Sequence, residues 1–266
     1  MGKECTRKLK TLSTLIIILV SIAITTPFST EASMNSKTGD EENFAHTVLV
    51  EYASTTWCHY CPIAAGQIQE LYSSGDHDFV YISLVADKNP EAGLRCGELD
   101  LTAYPTVFFD GGYKEIIGAQ GNTTPYIKAI NECGARTDVH SVDVSLHMKA
   151  HGEEGVIINL TVTEKEGEAY SGVLKVYVTE MISRWSDNEG EPYRFAMLDY
   201  AINQDIVISP MGSLVFTVTW DGIENGFIIQ PENIMVVAAL YDSHTGYVDN
   251  VAYATIYSDL PDTFIT

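Results

Sequence analysis

The hydrophobic pattern of this chain changes character about halfway along. In the first half, short apolar runs alternate with amphipathic stretches. Thr47 to Ala53 (Thr-Val-Leu-Val-Glu-Tyr-Ala) reads as a buried strand closed by the Ser54-Thr55-Thr56 turn. From His59 to Tyr72, Ile63, Ala64, Ile68 and Leu71 recur at helical spacing. Phe79 to Val85 is a second strand, and Pro90 opens a second helical stretch carrying Leu94 and Leu99. Thr106-Val107-Phe108-Phe109 and Tyr113 to Ile117 form a hairpin through Asp110-Gly111-Gly112, and a helix from Thr124 to Cys133 stops at Gly134. Two strands joined through a helix should pair in parallel, and the hairpin should lie antiparallel to them.

Beyond Gly134, apolar and polar positions alternate. Val139–Lys149, Val156–Glu164, Val173–Met181, Leu214–Trp220, Ile234–Tyr241 and Tyr247–Tyr257 read as strands with polar turns between them. Such a series predicts an antiparallel β-sandwich, here of immunoglobulin-like type. No cysteine follows Cys133, so the inter-sheet disulfide of antibody domains is missing. Arg184 to Tyr200, charged and aromatic, breaks the alternation and reads as a long loop with a short helix. The change of periodicity places a boundary at residues 134–138, with each side expected to fold separately.

The N-terminus changes the picture of location. Lys3, Arg7, Lys8 and Lys10 precede the apolar run Leu12–Ile24, with Pro27 and the small residues Ala32-Ser33 after it, as in a signal peptide. The run is shorter than the roughly twenty residues that span a bilayer. Cleavage is therefore favoured over a retained signal anchor, and Cys5 leaves with the signal. Residues 1–32 are thus assigned to the signal and 33–45 to a disordered lead-in. Residues 46–135 form an α/β domain and 138–260 the sandwich. The mature chain is expected outside the cytoplasm (secreted, periplasmic or at the cell surface), where disulfides persist. The formal charge is -21, from 36 acidic against 15 basic residues, which disfavours nucleic acid as a partner.

The chemistry concentrates in Trp57-Cys58-His59-Tyr60-Cys61-Pro62, where the first strand gives way to a helix. Two thiols at this spacing can close and reopen a small disulfide ring. Orphan N–H groups at a helix start stabilise a thiolate there. A structural bridge or half of a zinc site are the alternatives. Zinc would want paired ligands, whereas Cys96 and Cys133 are single and distant, so no metal is assigned. His59 beside Cys58 would favour the thiolate and make the disulfide more oxidising, unless it is only a solvated helix-start residue.

These elements, entered by Val-Glu-Tyr-Ala-Ser-Thr-Thr-Trp-Cys-His-Tyr-Cys-Pro, resemble the thioredoxin fold over residues 47–134. With a signal peptide and a strand-rich tail, the chain is similar to the outer-membrane-protein-28-like group of that superfamily. The resemblance implies an α/β thioredoxin fold followed by the all-β sandwich, and a cis bond at Pro105 facing the dithiol. Together with helix geometry it implies an exposed nucleophile at Cys58 and a resolving thiol at Cys61. Trp57, Tyr60, Tyr104 and Pro105 would then meet substrate. Tyr60 before the second cysteine resembles glutaredoxins and bacterial disulfide isomerases, and it separates the site from the reducing pattern Cys-Gly-Pro-Cys.

Thioredoxins and related oxidases carry a buried acid six residues before the first cysteine. Here Glu51 stands seven before Cys58. It could assist proton transfer at Cys61 if Ser54-Thr55-Thr56 absorbs one residue as a bulge; otherwise it faces the wrong way. Cys96 and Cys133 could be bridged, or Cys96 could be an auxiliary redox thiol, or both could be buried free thiols.

The leading expectation is an exported thiol–disulfide oxidoreductase acting on protein dithiols and disulfides. It needs no cofactor but does need a redox partner to reset it. The tail would serve with protein clients or in forming a homodimer. Competing with this are a binding or adhesion protein that uses the sandwich, with the thioredoxin domain as scaffold, and a copper-handling protein. The last lacks a Met-rich or His-rich segment.

Overall fold

The computed structural model describes residues 44–258. The signal, Cys5, the lead-in up to residue 43 and the end of the tail beyond residue 258 lie outside the described residues.

Strand β1 (Val48–Ser54) is buried along its whole length. It pairs in parallel with β2 (Phe79–Val85) and antiparallel with β3 (Thr106–Phe109), which pairs antiparallel with β4 (Lys114–Ile117). Helix α1 (Cys61–Ser74) carries Pro62 in its first turn and ends at Gly75 in the left-handed region. Helix α2 (Pro90–Glu98) is capped by Asn89, whose side chain accepts the Glu91 N–H. Helix α3 (Thr124–Gly134) closes this half. The order and pairing are those expected from the sequence and give an α/β segment of thioredoxin-like topology.

The rest is β-rich: β5 (Val142–His151), β6 (Gly155–Glu164), β7 (Tyr170–Ser186), β8 (Pro192–Ile208), β9 (Ser213–Asp221), β10 (Ile234–Asp242) and β11 (Val248–Ala254). Here the structure departs from expectation in two ways. Arg184–Tyr200 is no helical loop: it is the tip and flanks of a long β7–β8 hairpin. It escapes alternation because Ala196, Met197 and Leu198 of β8 are buried in succession, on both faces of the strand.

The tail strands do face one another in two layers, but one layer is shared with the first half. β5, β6 and β9 make a three-stranded sheet, while the other four continue the first half's sheet in the order β11-β10-β7-β8-β2-β1-β3-β4. The join is β2 to β8, with Ser83 opposite Ala196, and it is reinforced by a Ser83 hydroxyl donating to Arg194 O at 2.7 Å. Nothing in this arrangement singles out the immunoglobulin type.

Three apolar clusters follow from these layers. Side chains of α1, α3 and one face of β1 form the first, which holds Cys58 and Cys61. The opposite face of β1, α2 and inward residues of β7, β10 and β11 form the second, which holds Cys96. The third lies between the three-stranded sheet and β7, β8 and β10. Residues 134–138 are not a loose linker. Arg136 is buried beneath the rings of Tyr113 and Tyr247, donates to Val248 O at 2.7 Å and pairs with Asp110, which also holds His46. Gly111 fits this seam: at φ 69° it sits where a Cβ would come within 2.9 Å of the Tyr241 ring.

Candidate functional site

Cys58 and Cys61 are joined by a disulfide with Cα atoms 5.4 Å apart. Cys61, not Cys58, is the first residue of α1; Cys58 sits in the turn ahead of it and donates its N–H to Thr55 O. Neither sulfur-bearing residue is open. Cys58 is 5% exposed and Cys61 not at all, so the expected asymmetry is present but slight. Around them Trp57, Tyr60 and Ile63 stand about half to two-thirds exposed, at 64%, 67% and 48%. Trp57 meets Tyr104 edge-on, with centroids 6.1 Å apart. The Tyr104–Pro105 peptide is cis, and Pro105 is buried. The motif, its apolar rim and the proline segment therefore converge.

The turn itself is tied down by Asp87, which accepts from the Thr56 N–H at 2.9 Å and the Thr56 hydroxyl at 2.6 Å. His59 is exposed, and its Nδ1 lies 2.8 Å from the amide nitrogen of Asn188, at the tip of the β7–β8 hairpin. The tail thus reaches the motif from outside.

Glu51 is not at the dithiol. β1 runs beside β2 in unbroken register from Val48 to Ser54, so no bulge shifts its parity. Glu51 shares the face of Leu49 and Ala53 and is fully buried there. Arg95 of α2 grips it with two bonds of 2.7 and 2.8 Å, and the Tyr177 hydroxyl donates to it at 3.0 Å. Tyr52, six residues before Cys58, takes the dithiol face instead. Its hydroxyl lies 2.7 Å from Cys61 O and 3.1 Å from Ser54 Oγ. Burial holds the Tyr52 phenol well above its ordinary range.

Breaking the buried pair by Arg95→Ala is expected to cost about 3–5 kcal/mol, because the fully buried Glu51 would lose its cation and keep only the Tyr177 hydroxyl. Turnover per folded molecule should change little. Denaturant midpoints and activity of the folded fraction check this. Lost activity in a stable Glu51→Gln variant would return the acid to the dithiol chemistry.

Cys96 and Cys133 are free and buried, on opposite faces of the sheet. Burial pushes the Cys96 thiol up to about 12, and that of Cys133 higher still. Among the described residues no group of three or more His, Cys, Asp and Glu side chains could hold a metal ion. Tyr52, Asp87, Asn188 and Tyr193 escaped sequence reasoning. Only Tyr52 carried a signal, its spacing of six from Cys58.

Neither the protein-family models nor the curated proteins gave a match to this sequence. Solved structures did. HBP35 of Porphyromonas gingivalis aligns with a TM-score of 0.65 at 16% identity, over 82% of this chain and 78% of that one. The two share a fold, which in this chain begins with the α/β segment of thioredoxin-like topology. A crystal structure of an Agrobacterium tumefaciens protein aligns at 0.53 and 12% identity, covering 82% of this chain and 97% of its own. At such identities the likeness shows the fold alone. A domain of the outer membrane lipoprotein Omp28 from Porphyromonas gingivalis aligns at only 0.32, with 15% identity over 46% of this chain and 92% of the domain, and no argument rests on it.

Proposed function

We propose that the protein is an exported thiol–disulfide oxidoreductase that acts on protein dithiols and disulfides through Cys58-His59-Tyr60-Cys61. The reading is carried by the Cys58–Cys61 disulfide, closed ahead of α1 beside an exposed apolar rim and the Tyr104–Pro105 segment. The signal-like N-terminus favours a site outside the cytoplasm. The motif and tail favour the outer-membrane-protein-28-like group, and the likeness to HBP35 supports the fold on which this reading depends.

In the reductive direction the Cys58 thiolate attacks a client disulfide, forms a mixed disulfide and releases one client thiolate, which takes up a proton. Cys61 then loses its proton, attacks Cys58 Sγ and expels the second client thiolate. The chain is left oxidised and the client reduced. The oxidative direction reverses both steps. A redox partner restores the starting state, and the dithiol itself carries the two electrons. Trp57, Tyr60, Tyr104 and Pro105 receive the client backbone and its apolar side chains.

The reduction potential tests this against a structural bridge. A working pair is expected above about -300 mV and a structural one below it. The adhesion reading would gain from the second result.

His59 gives a narrower prediction. Protonated, it stabilises a neighbouring thiolate and so favours the reduced pair. His59→Ala should therefore make the disulfide less oxidising, by about threefold to tenfold in the exchange equilibrium. Thiolate absorbance in the reduced protein should appear at higher pH. Identical titrations in the two proteins would make His59 a bystander.

A further inference from the structure

Tyr193, near the start of β8, is buried in the same apolar cluster as Cys58 and Cys61. Its hydroxyl donates to Thr55 O at 2.9 Å and lies 3.0 Å from Ser54 Oγ. Thr55 O is also the carbonyl that accepts the Cys58 N–H, at 3.2 Å. Ser54 Oγ in turn lies 3.1 Å from the Tyr52 hydroxyl, which sits 2.7 Å from Cys61 O. A chain of three neighbouring hydroxyls, Tyr193–Ser54–Tyr52, thus runs between the carbonyl that holds Cys58 and the carbonyl of Cys61; each tyrosine donates to its carbonyl, and the one Ser54 proton joins one tyrosine oxygen at a time.

Burial pushes the Tyr193 phenol up to about 12 and Tyr52 further, so both remain protonated donors at neutral pH. Beside the chain a cleft of about 290 Å³ opens between α1 and the β7–β8 hairpin, with Tyr52 and Tyr193 both in its wall.

We infer that Tyr193 is a positioning residue of the dithiol, through which the C-terminal segment sets the redox poise of Cys58 and Cys61. This rests on the oxidoreductase reading, but it concerns a different quantity: how readily the two sulfurs bond, not whether clients are turned over. The physical reason is preorganisation. Closing the disulfide requires the Cys58 turn and the first residue of α1 to be held at a fixed separation. Tyr193 holds the first through Thr55 O and Tyr52 the second through Cys61 O, with Ser54 between them, and the more firmly they do so, the higher the effective concentration of one thiol at the other. A buried hydrogen bond contributes enough to shift such an equilibrium severalfold. Tyr193 does not touch the reacting sulfurs through any polar contact; it acts through Thr55 and Ser54.

The test uses the full chain. Tyr193→Phe removes the hydroxyl and keeps the ring in the core. Its control is Tyr177→Phe, which removes a fully buried hydroxyl that donates to Glu51 and meets Tyr241 on the opposite face of the sheet. Both should lower stability. The fraction oxidised is read in dithiothreitol buffers of graded composition. Tyr193→Phe should shift the equilibrium about threefold to tenfold toward the dithiol, a change of about 15–30 mV, while Tyr177→Phe leaves it within experimental error. Tyr52→Phe, which cuts the same chain at its Cys61 end, should shift it in the same direction and serves if Tyr193→Phe does not fold. An unchanged equilibrium in the Tyr193 and Tyr52 variants, or an equal shift in the Tyr177 control, overturns the inference. Turnover of protein disulfides by the unaltered chain is measured separately. Its absence would sink the oxidoreductase reading while leaving the equilibrium comparison intact.

Discussion

Cys58→Ser is expected to abolish oxidoreductase turnover, whereas Cys61→Ser is expected to accumulate mixed disulfides with clients. The two residues differ slightly in access: Cys58 retains 5% exposure at the turn, while Cys61 has none. A client sulfur is therefore expected to meet Cys58 first, since Cys61 is closed off within the first turn of α1. With Cys61 absent, the mixed disulfide has no internal thiol to resolve it, because Cys96 and Cys133 are buried and burial holds both thiols against ionisation. Loss of turnover in Cys58→Ser should exceed about a thousandfold, as expected when the attacking group itself is removed. Non-reducing electrophoresis with mass spectrometry of the trapped species is the measurement. Adducts on Cys61 in the Cys58→Ser variant, with turnover preserved, would reverse the two roles.

The small exposure of Cys58 also restricts the approach of a client. It is expected to come over the exposed apolar rim of Trp57, Tyr60 and Ile63.

What could be read from the sequence divides along a physical line. The elements around the dithiol were legible because their signals are local: apolar runs, helical spacing, Pro62 and Pro90 in first turns, glycines in the hairpin. The side of β1 on which Glu51 lies turned on the parity of one residue. The sequence allowed either a bulge or a straight strand, and regular pairing with β2 decides for the straight one. The β7–β8 hairpin was missed for a different reason. Part of β8 is packed on both faces, with Met197 in the cluster beneath α2 and Leu198 in that beneath the three-stranded sheet, so Ala196, Met197 and Leu198 are buried in succession without a period of two. Its polar residues are also committed to distant partners, as in the Trp220 Nε1–H that donates to Asp199 at 2.9 Å. Contacts so far apart in sequence leave no mark on composition. For the same reason the change of periodicity near Gly134 marked a change of architecture, which the sheet does not turn into a separation.

A chain ending at Arg136 is therefore expected to aggregate, contrary to the independence that the change of pattern suggests. Such a cut removes β7, β8, β10 and β11, which continue the sheet beyond β2. It strips Tyr177, Met197, Met235, Val237, Ala239, Tyr241 and Val251 from the cluster that also contains Leu49, Val80, Ile82 and Phe108. Each large buried apolar side chain contributes about 1.5–3 kcal/mol, so the loss is on the order of 10 kcal/mol, comparable to the whole stability of an ordinary domain. The polar losses compound it. Arg136 forfeits Val248 O and the Tyr247 ring, Asn89 forfeits its bonds to Met197 O and Leu198 O, and Glu51 keeps Arg95 but loses Tyr177. Each of these lost hydrogen bonds contributes about 0.5–1.5 kcal/mol net. The exposed side of β2 would also present an open strand edge, a template for pairing with other chains. Size-exclusion chromatography and near-ultraviolet circular dichroism of residues 45–136 are the deciding measurements. A monomer with a cooperative melt and a dithiol that equilibrates as in the full chain would show that the shared sheet is dispensable. Aggregation relieved by adding back residues 137–258 as a separate chain would show that the C-terminal strands are an integral wall of the redox segment.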